Sequence, residues 1–213
     1  MEPRHPRPAR RRLITGAAAL AASAALAPLT ASAALAGPRR RTPHRGDGYP
    51  PVEWVPASTS NFTAANRPDQ YPIDMIVIHV TQETYKDALR LFQDPRHKAA
   101  AHYVVRSADG HLAQCVRERD VAWHAGNWDC NTRSIGIEHE GWIDDPTWFT
   151  DALYEHSARL TAAVCDRYGI PVDREHIIGH IEVPGSDHTD PGEFWDWARY
   201  LQLVTEASWR HGR

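Results

Sequence analysis

Cysteine is scarce and scattered. The three thiols of this 213-residue chain, Cys115, Cys130 and Cys165, lack the close pairing of a structural zinc cluster, and an odd number permits at most one internal bridge. Cys165 falls on an apolar helical face, so any bridge is expected between Cys115 and Cys130. The compact helical HExxH motif is absent, which removes the zinc proteases built on it. There is no internal repeat, and no compositional bias beyond the amino-terminal region, so one catalytic domain is the economical reading. Positive charge is not in excess either: 24 Lys+Arg stand against 27 Asp+Glu, a formal charge of −3. Without residues 1–36, which hold five arginines and one glutamate, 19 basic groups face 26 acidic ones, a formal −7. A nucleic-acid partner is therefore not expected.

The amino terminus carries what the rest lacks. Arg10, Arg11 and Arg12 precede an almost uncharged Ala/Leu-rich run from Leu13 to Ala36, which closes on the small-residue triplets Ala31-Ser32-Ala33 and Ala34-Leu35-Ala36. This is the layout of an export signal over residues 1–36, cleaved after Ala33 or Ala36, and Arg11-Arg12-Leu13-Ile14 resembles the twin-arginine type. The run is just long enough to span a bilayer, so an uncleaved anchor is the alternative; its alanine content and two cleavage sites favour removal. A secreted, monomeric protein with no stable membrane insertion is expected. Residues 37–70, with Arg39, Arg40, Arg41 and Arg45, read as a Pro/Arg-rich linker and extension, and 71–208 as the catalytic domain.

Within that domain, Ile73–Val80 (IDMIVIHV) is apolar and β-branched without a breaker, the pattern of a central strand buried on both faces. A helix is expected over Thr84–Phe92, ending near Asp94-Pro95. The segments Ala101–Arg106 and His111–Val116 flank Asp109-Gly110 and predict a hairpin. Ser134–His139 (SIGIEH) alternates as a strand. A long helix follows, capped by Thr150, with Leu153, Leu160, Val164 and Tyr168 at helical spacing and a stop at Gly169 and Pro171. A last helix is expected from about Glu193 to Ala207, burying Phe194, Trp197, Leu201 and Val204. The fold class is thus α/β, a single domain with a mixed central sheet flanked by helices and a cleft at the sheet edge.

Thirteen histidines are many for this length, and position separates them. His79 ends a buried strand that fixes its direction, while His180 and Asp190 bracket a polar Pro/Gly loop, GHIEVPGSDHTDPG. Together they meet the requirement of a catalytic zinc site, three N or O ligands with a place left for water. Glu138, on the strand ahead of the long helix, is the carboxylate able to take a proton from that water. Spacing alone leaves this reading weak.

Five strings strengthen it: IVIHV around His79, AHYVVRSADGHLAQCV, AWHAG at Ala122–Gly126, SIGIEHEG at Ser134–Gly141, and GHIEVPGSDHTDPG at Gly179–Gly192. In this order they resemble the N-acetylmuramoyl-L-alanine amidases of the type-2 amidase and peptidoglycan-recognition-protein superfamily, over roughly Tyr71 to Leu203. The resemblance implies Zn²⁺ held by His79, His180 and Asp190, Glu138 as the catalytic carboxylate, and peptidoglycan as substrate, cut between the lactyl group of muramic acid and L-alanine. His188 stands where some relatives have lysine and is the candidate cation for the oxyanion. Ala101 stands where one branch has tyrosine, so that branch's tyrosine-dependent variant is not carried over. Trp123, His124, Gly126 and Asn127 resemble the cleft wall; Trp123, His124 and Asn127 are candidate substrate-binding residues, and a buried Trp-His pair that only supports the site is the equal alternative. His102 and His139 are expected to be structural, Arg133 to be a surface residue, and Trp142 and Trp148 to belong to core and rim. Two rival functions remain at this point: a non-catalytic peptidoglycan binder, disfavoured because all three ligands and Glu138 are present, and a zinc peptidase cutting within the stem peptide.

Overall fold

The run containing His79 does become the centre of a sheet. The computed structural model describes residues 48–211; the expected signal (1–36) and the first part of the linker lie outside the described residues. Strands β1 (Glu53–Trp54), β3 (Met75–Val80), β4 (Tyr103–Val105), β5 (Leu112–Gln114), β7 (Ser134–His139) and β8 (Ile177–Gly179) form a six-stranded sheet in the order β1-β5-β4-β7-β3-β8. Only β4 and β5, the expected hairpin, pair antiparallel in it; all other neighbours are parallel. β2 (Phe62–Thr63) and β6 (Val121–Ala122) form a separate antiparallel pair.

Alternation along the central strands sorts the side chains. Ile76, Ile78 and Val80 of β3, with Ile135 and Ile137 of β7, bury one face under α3 (Asp151–Tyr168) and α4 (Trp197–His211), through Leu153, Leu160, Val164, Tyr200 and Val204. Val77 and Ile178 lie in a smaller apolar cluster with Ala125, Cys130 and Val183. His79 shares the face of Val77, and Glu138 that of Gly136 and Ser134. Thr150 caps α3 through its hydroxyl, and Gly169 ends it at φ 71°, a left-handed turn that glycine adopts without strain. α1 (Tyr85–Gln93) is capped by Thr84 and ends at Asp94; α2 (Trp128–Arg133) is a short helix leading into β7. Among the described residues no helix is long and apolar enough to cross a membrane.

Two expectations are corrected. The last helix begins at Trp197 rather than Glu193, because Gly192 to Asp196 turn so as to bury Trp195 against His139, Tyr154 and Tyr200, while Phe194, expected in the core, is 45% exposed. Cys115 and Cys130 are not bridged: all three cysteines are free and buried, and those two pack in different apolar clusters. Residues 49–67, within the expected linker and extension, pack against the rest of the domain. β1 extends the sheet edge, and the side chain of Asn61, fully buried, donates to the carbonyls of Phe92 (2.7 Å) and Asp94 (2.9 Å) and accepts from the Lys98 amide (3.0 Å). Arg67, 4% exposed, spreads its guanidinium over the carbonyls of Glu118, Asn131, Thr132 and Ser134.

Candidate metal centre and cleft

Parallel register brings the site together. His79 pairs with Glu138 across β3 and β7, and Ile78 with Gly179 across β3 and β8, so His79, Glu138 and His180 reach one level at the carboxyl ends of three adjacent strands. Asp190 arrives from the following loop, held as its carbonyl accepts the Ile181 amide at 3.0 Å. Position 179 admits only glycine here, since a Cβ would sit 2.6 Å from Cδ of Pro191.

The three side chains present ligand atoms that all lie within 4.8 Å of one another. His79 Nδ1 is 3.1 Å from His180 Nδ1 and 3.2 Å from Asp190 Oδ2, and His180 Nδ1 is 3.2 Å from Asp190 Oδ1. Tetrahedral ligands about 2.0–2.1 Å from a zinc ion stand about 3.3 Å apart, so the donor set matches in type and in spacing. Burial holds His79 below the ordinary imidazole range against the pull of Asp190, which keeps a ring-nitrogen lone pair available. Burial pushes the Asp190 carboxyl up, but the polar contacts with His180 and His79 outweigh it and hold the group well below the usual carboxylate range.

Glu138 stands beside this cluster, its Oε2 sealed from solvent and without a hydrogen-bond partner. Burial, and then the charge of Asp190, raises its carboxyl well above the ordinary range. His188, 58% exposed in its side chain, stacks on His180 with ring centroids 4.0 Å apart and a 20° tilt; its Nδ1 lies 3.5 Å from Asp190 Oδ1. It lines the cleft beside the cluster.

Two cavities meet there. One, of about 400 Å³, has His79, Glu138, His180 and Asp190 at its base and Ala88, Leu91 and Phe92 as an apolar wall, with Glu83 on its lining. The other, of about 500 Å³, is bounded by Lys98, Trp123, Gly126 and Trp128. Ala99, Trp123, His124, His180 and His188 border both.

The expected wall residues divide. Trp123 does face both cavities, anchored by its indole N–H donating to Thr63 Oγ1 at 2.9 Å. His124, expected on substrate, has both ring nitrogens engaged inside the protein, Nδ1 at 2.9 Å from His79 Nε2 and Nε2 at 3.1 Å from Ser134 Oγ. Asn127, also expected on substrate, caps α2 by accepting from the Cys130 amide and donates to the Pro184 carbonyl, each at 3.0 Å, and borders neither cavity. His102 and His139 are fully buried and structural: His102 Nδ1 accepts from the Gly136 amide, and His139 bridges the His79 carbonyl and Ser157. Arg133 is tied to Asp74 by paired contacts of 2.6 and 2.7 Å. Sequence reasoning missed Lys98 and Trp128. Lys98 is held at φ 60° beside the buried Asn61, and Trp128, 52% exposed, meets Tyr71 edge-on at 6.4 Å. Only an aromatic directly after a capping asparagine hinted at Trp128.

A family model described as N-acetylmuramoyl-L-alanine amidase matches residues 69–193. The chain is 33% identical over 168 residues to N-acetylmuramoyl-L-alanine amidase A of Achromobacter lyticus, covering 71% of this chain and 92% of that one. Its fold is similar to that of a selenomethionine derivative of AmpD, with TM-score 0.60, 29% identity, and 74% and 97% of the two chains covered. It is also similar to the amidase AmiD from E. coli in complex with the substrate anhydro-N-acetylmuramic acid-L-Ala-D-γ-Glu-L-Lys, with TM-score 0.53, 26% identity, and 62% and 57% covered. With its mixed sheet and its His-His-Asp cluster at the strand ends, the chain belongs to the type-2 N-acetylmuramoyl-L-alanine amidase family.

Proposed function

We propose that this chain is a zinc-dependent hydrolase that cuts the amide between N-acetylmuramic acid and L-alanine in bacterial peptidoglycan. The observation that carries the reading is the convergence of His79, His180 and Asp190 beside the unpartnered carboxylate of Glu138, where two cavities meet. A bond between a glycan and a peptide needs a cleft open to both sides, and the relative AmiD is seen with a substrate of that construction. Export, suggested by Arg10–Arg12 and the Leu13–Ala36 run, would bring the enzyme to the wall.

His79, His180 and Asp190 would hold one Zn²⁺, which supplies Lewis acidity at the scissile carbonyl and eases deprotonation of water. The Glu138 carboxylate accepts the proton of the attacking water as the water oxygen adds to the carbonyl carbon. The same carboxyl then gives that proton to the amide nitrogen as the C–N bond breaks, leaving a lactyl carboxylate and the free amine of L-alanine. His188, stacked over the cluster, presents an N–H to the developing oxyanion.

Digestion of purified peptidoglycan followed by mass spectrometry tests the assignment. Free amino-terminal L-alanine without new reducing sugar ends is expected, lost on dialysis against a strong chelator and restored by stoichiometric Zn²⁺. New amine termini elsewhere in the stem would make the protein a peptidase, binding without products a recognition protein, and full activity in metal-free protein would end the zinc assignment.

A further inference from the structure

Behind the cleft, a file of buried polar atoms runs from His79 into the protein, and its far end is unambiguous. The carbonyl of Cys130 can only accept, and Ser134 Oγ lies 2.5 Å from it, so the serine hydroxyl proton is committed there. Ser134 Oγ, 3.1 Å from His124 Nε2, must then accept, which places the single proton of a neutral His124 on Nε2. His124 Nδ1 is left as an acceptor 2.9 Å from His79 Nε2, so His79 donates through Nε2 and carries its lone pair on Nδ1. That atom is the one facing His180 and Asp190.

The surroundings hold His124 to this task. Asn131 Oδ1 accepts from the amides of His124 (3.1 Å) and Ala125 (2.9 Å), fixing the loop. Gly136 leaves the slot that the imidazole fills, because a Cβ there would lie 2.5 Å from the ring carbon Cγ. Ser134 and Gly136 share one face of β7, so the same strand supplies the proton anchor and the space.

We infer that Ser134 and His124 form a positioning relay that fixes His79 in the tautomer with its Nδ1 lone pair turned toward His180 and Asp190. The relay explains why His124, although it borders the cleft, is engaged inward. It also makes the centre demand a cation: a lone pair held against a carboxylate is repulsive until a positive ion lies between them. The inference rests on the zinc reading for its consequence and on the hydrogen-bond order alone for its geometry.

Two measurements on the full-length folded protein test it. Zinc affinity is read by chelator competition in the parent, His124→Leu, His124→Asn and Ser134→Ala. Loss of the acceptor in His124→Leu should weaken zinc about 10- to 100-fold, the scale of a lost outer hydrogen bond to a metal ligand. His124→Asn, whose side-chain oxygen stands near the place of Nδ1, should retain most of the parent affinity, and Ser134→Ala should fall between. Nitrogen-15 NMR of histidine-labelled protein should show His124 as the Nε2–H tautomer in the parent, with the Nδ1–H form appearing in Ser134→Ala. A parent His124 in the Nδ1–H form, or a folded His124→Leu that binds zinc as tightly as the parent, would overturn the relay. Should His124→Leu not fold, the parent tautomer and the asparagine variant decide. A parent that binds no zinc would sink the metal reading and leave the tautomer to judge the relay separately.

Discussion

Glu118 and Glu138 are both carboxylates withdrawn from water, and the protein treats them oppositely. Glu118, 7% exposed, accepts the hydroxyl protons of Tyr49 and Tyr103 at Oε1, both at 2.8 Å, and of Tyr168 at Oε2, at 2.7 Å. Burial, then the charge of Glu118, pushes all three phenols above their ordinary range, so they remain donors. Glu138 has a buried oxygen that nothing in the protein serves, and its carboxyl is driven up rather than steadied. A buried charge with both oxygens engaged is a fixed part of the architecture. One left unserved is held against its own solvation preference by the surrounding fold, which suits a group that must exchange a proton. Only the second borders the cleft.

The sharpest way to break this contrast is to remove each charge in turn. Glu138→Gln should lower kcat by about 10² or more with the thermal midpoint and bound zinc preserved, the scale of a lost general acid and base. If that variant loses zinc instead, Glu138 belongs with the ligands. Glu118→Gln should do the reverse, costing about 2 kcal/mol in denaturant unfolding as a charge-assisted network is weakened, with kcat of the folded protein unchanged at 25 °C. A fall in kcat without loss of stability would erase the distinction.

A smaller effect extends the comparison to a buried base. Both ring nitrogens of His139 are served, by the His79 carbonyl at 2.8 Å and Ser157 Oγ at 2.6 Å, and burial pulls its imidazole down to about 3. In the unfolded chain the same group titrates near about 6.5. Its contribution to stability is therefore complete above that value and is lost as pH falls toward 3, because the unfolded chain takes up a proton that the folded one refuses. His139→Gln should make the acid slope of unfolding free energy shallower by one proton, about 1.4 kcal/mol per pH unit, measured by denaturant titration between pH 4 and pH 6. An unchanged slope would mean that the folded protein already admits the proton.

The parts legible in the sequence were those written in apolar periodicity and in turn chemistry. IDMIVIHV and SIGIEH are central strands because their branched residues serve the buried sheet, and Thr150 and Gly169 bound α3 because of what a hydroxyl and a missing Cβ allow. His79 and Glu138 could be placed at strand ends on the same ground, while His180 and Asp190 needed the family resemblance, since a loop carries no period. Illegible were polar residues whose partners are distant backbone carbonyls. Asn61 and Arg67 look like loop residues in a row of letters and become fasteners only when Phe92, Asp94 and Ser134 are brought to them. The motif around His124 and Asn127 left contact with substrate and support of the site as equal alternatives, because a motif identifies a neighbourhood and not the direction a side chain faces.

Arg67 carries a practical lesson for anyone who would trim or recombine this enzyme. The family match opens at residue 69, two positions after it, yet its guanidinium is what serves the carbonyls of Asn131, Thr132 and Ser134, at the junction that seats His124. A fragment cut to the family boundary would leave those acceptors sealed and empty. A chimera that borrows its leading segment from a relative must bring a cation of the same reach to this spot, and any cut belongs ahead of Tyr49, whose hydroxyl is the first side-chain tie to the domain among the described residues.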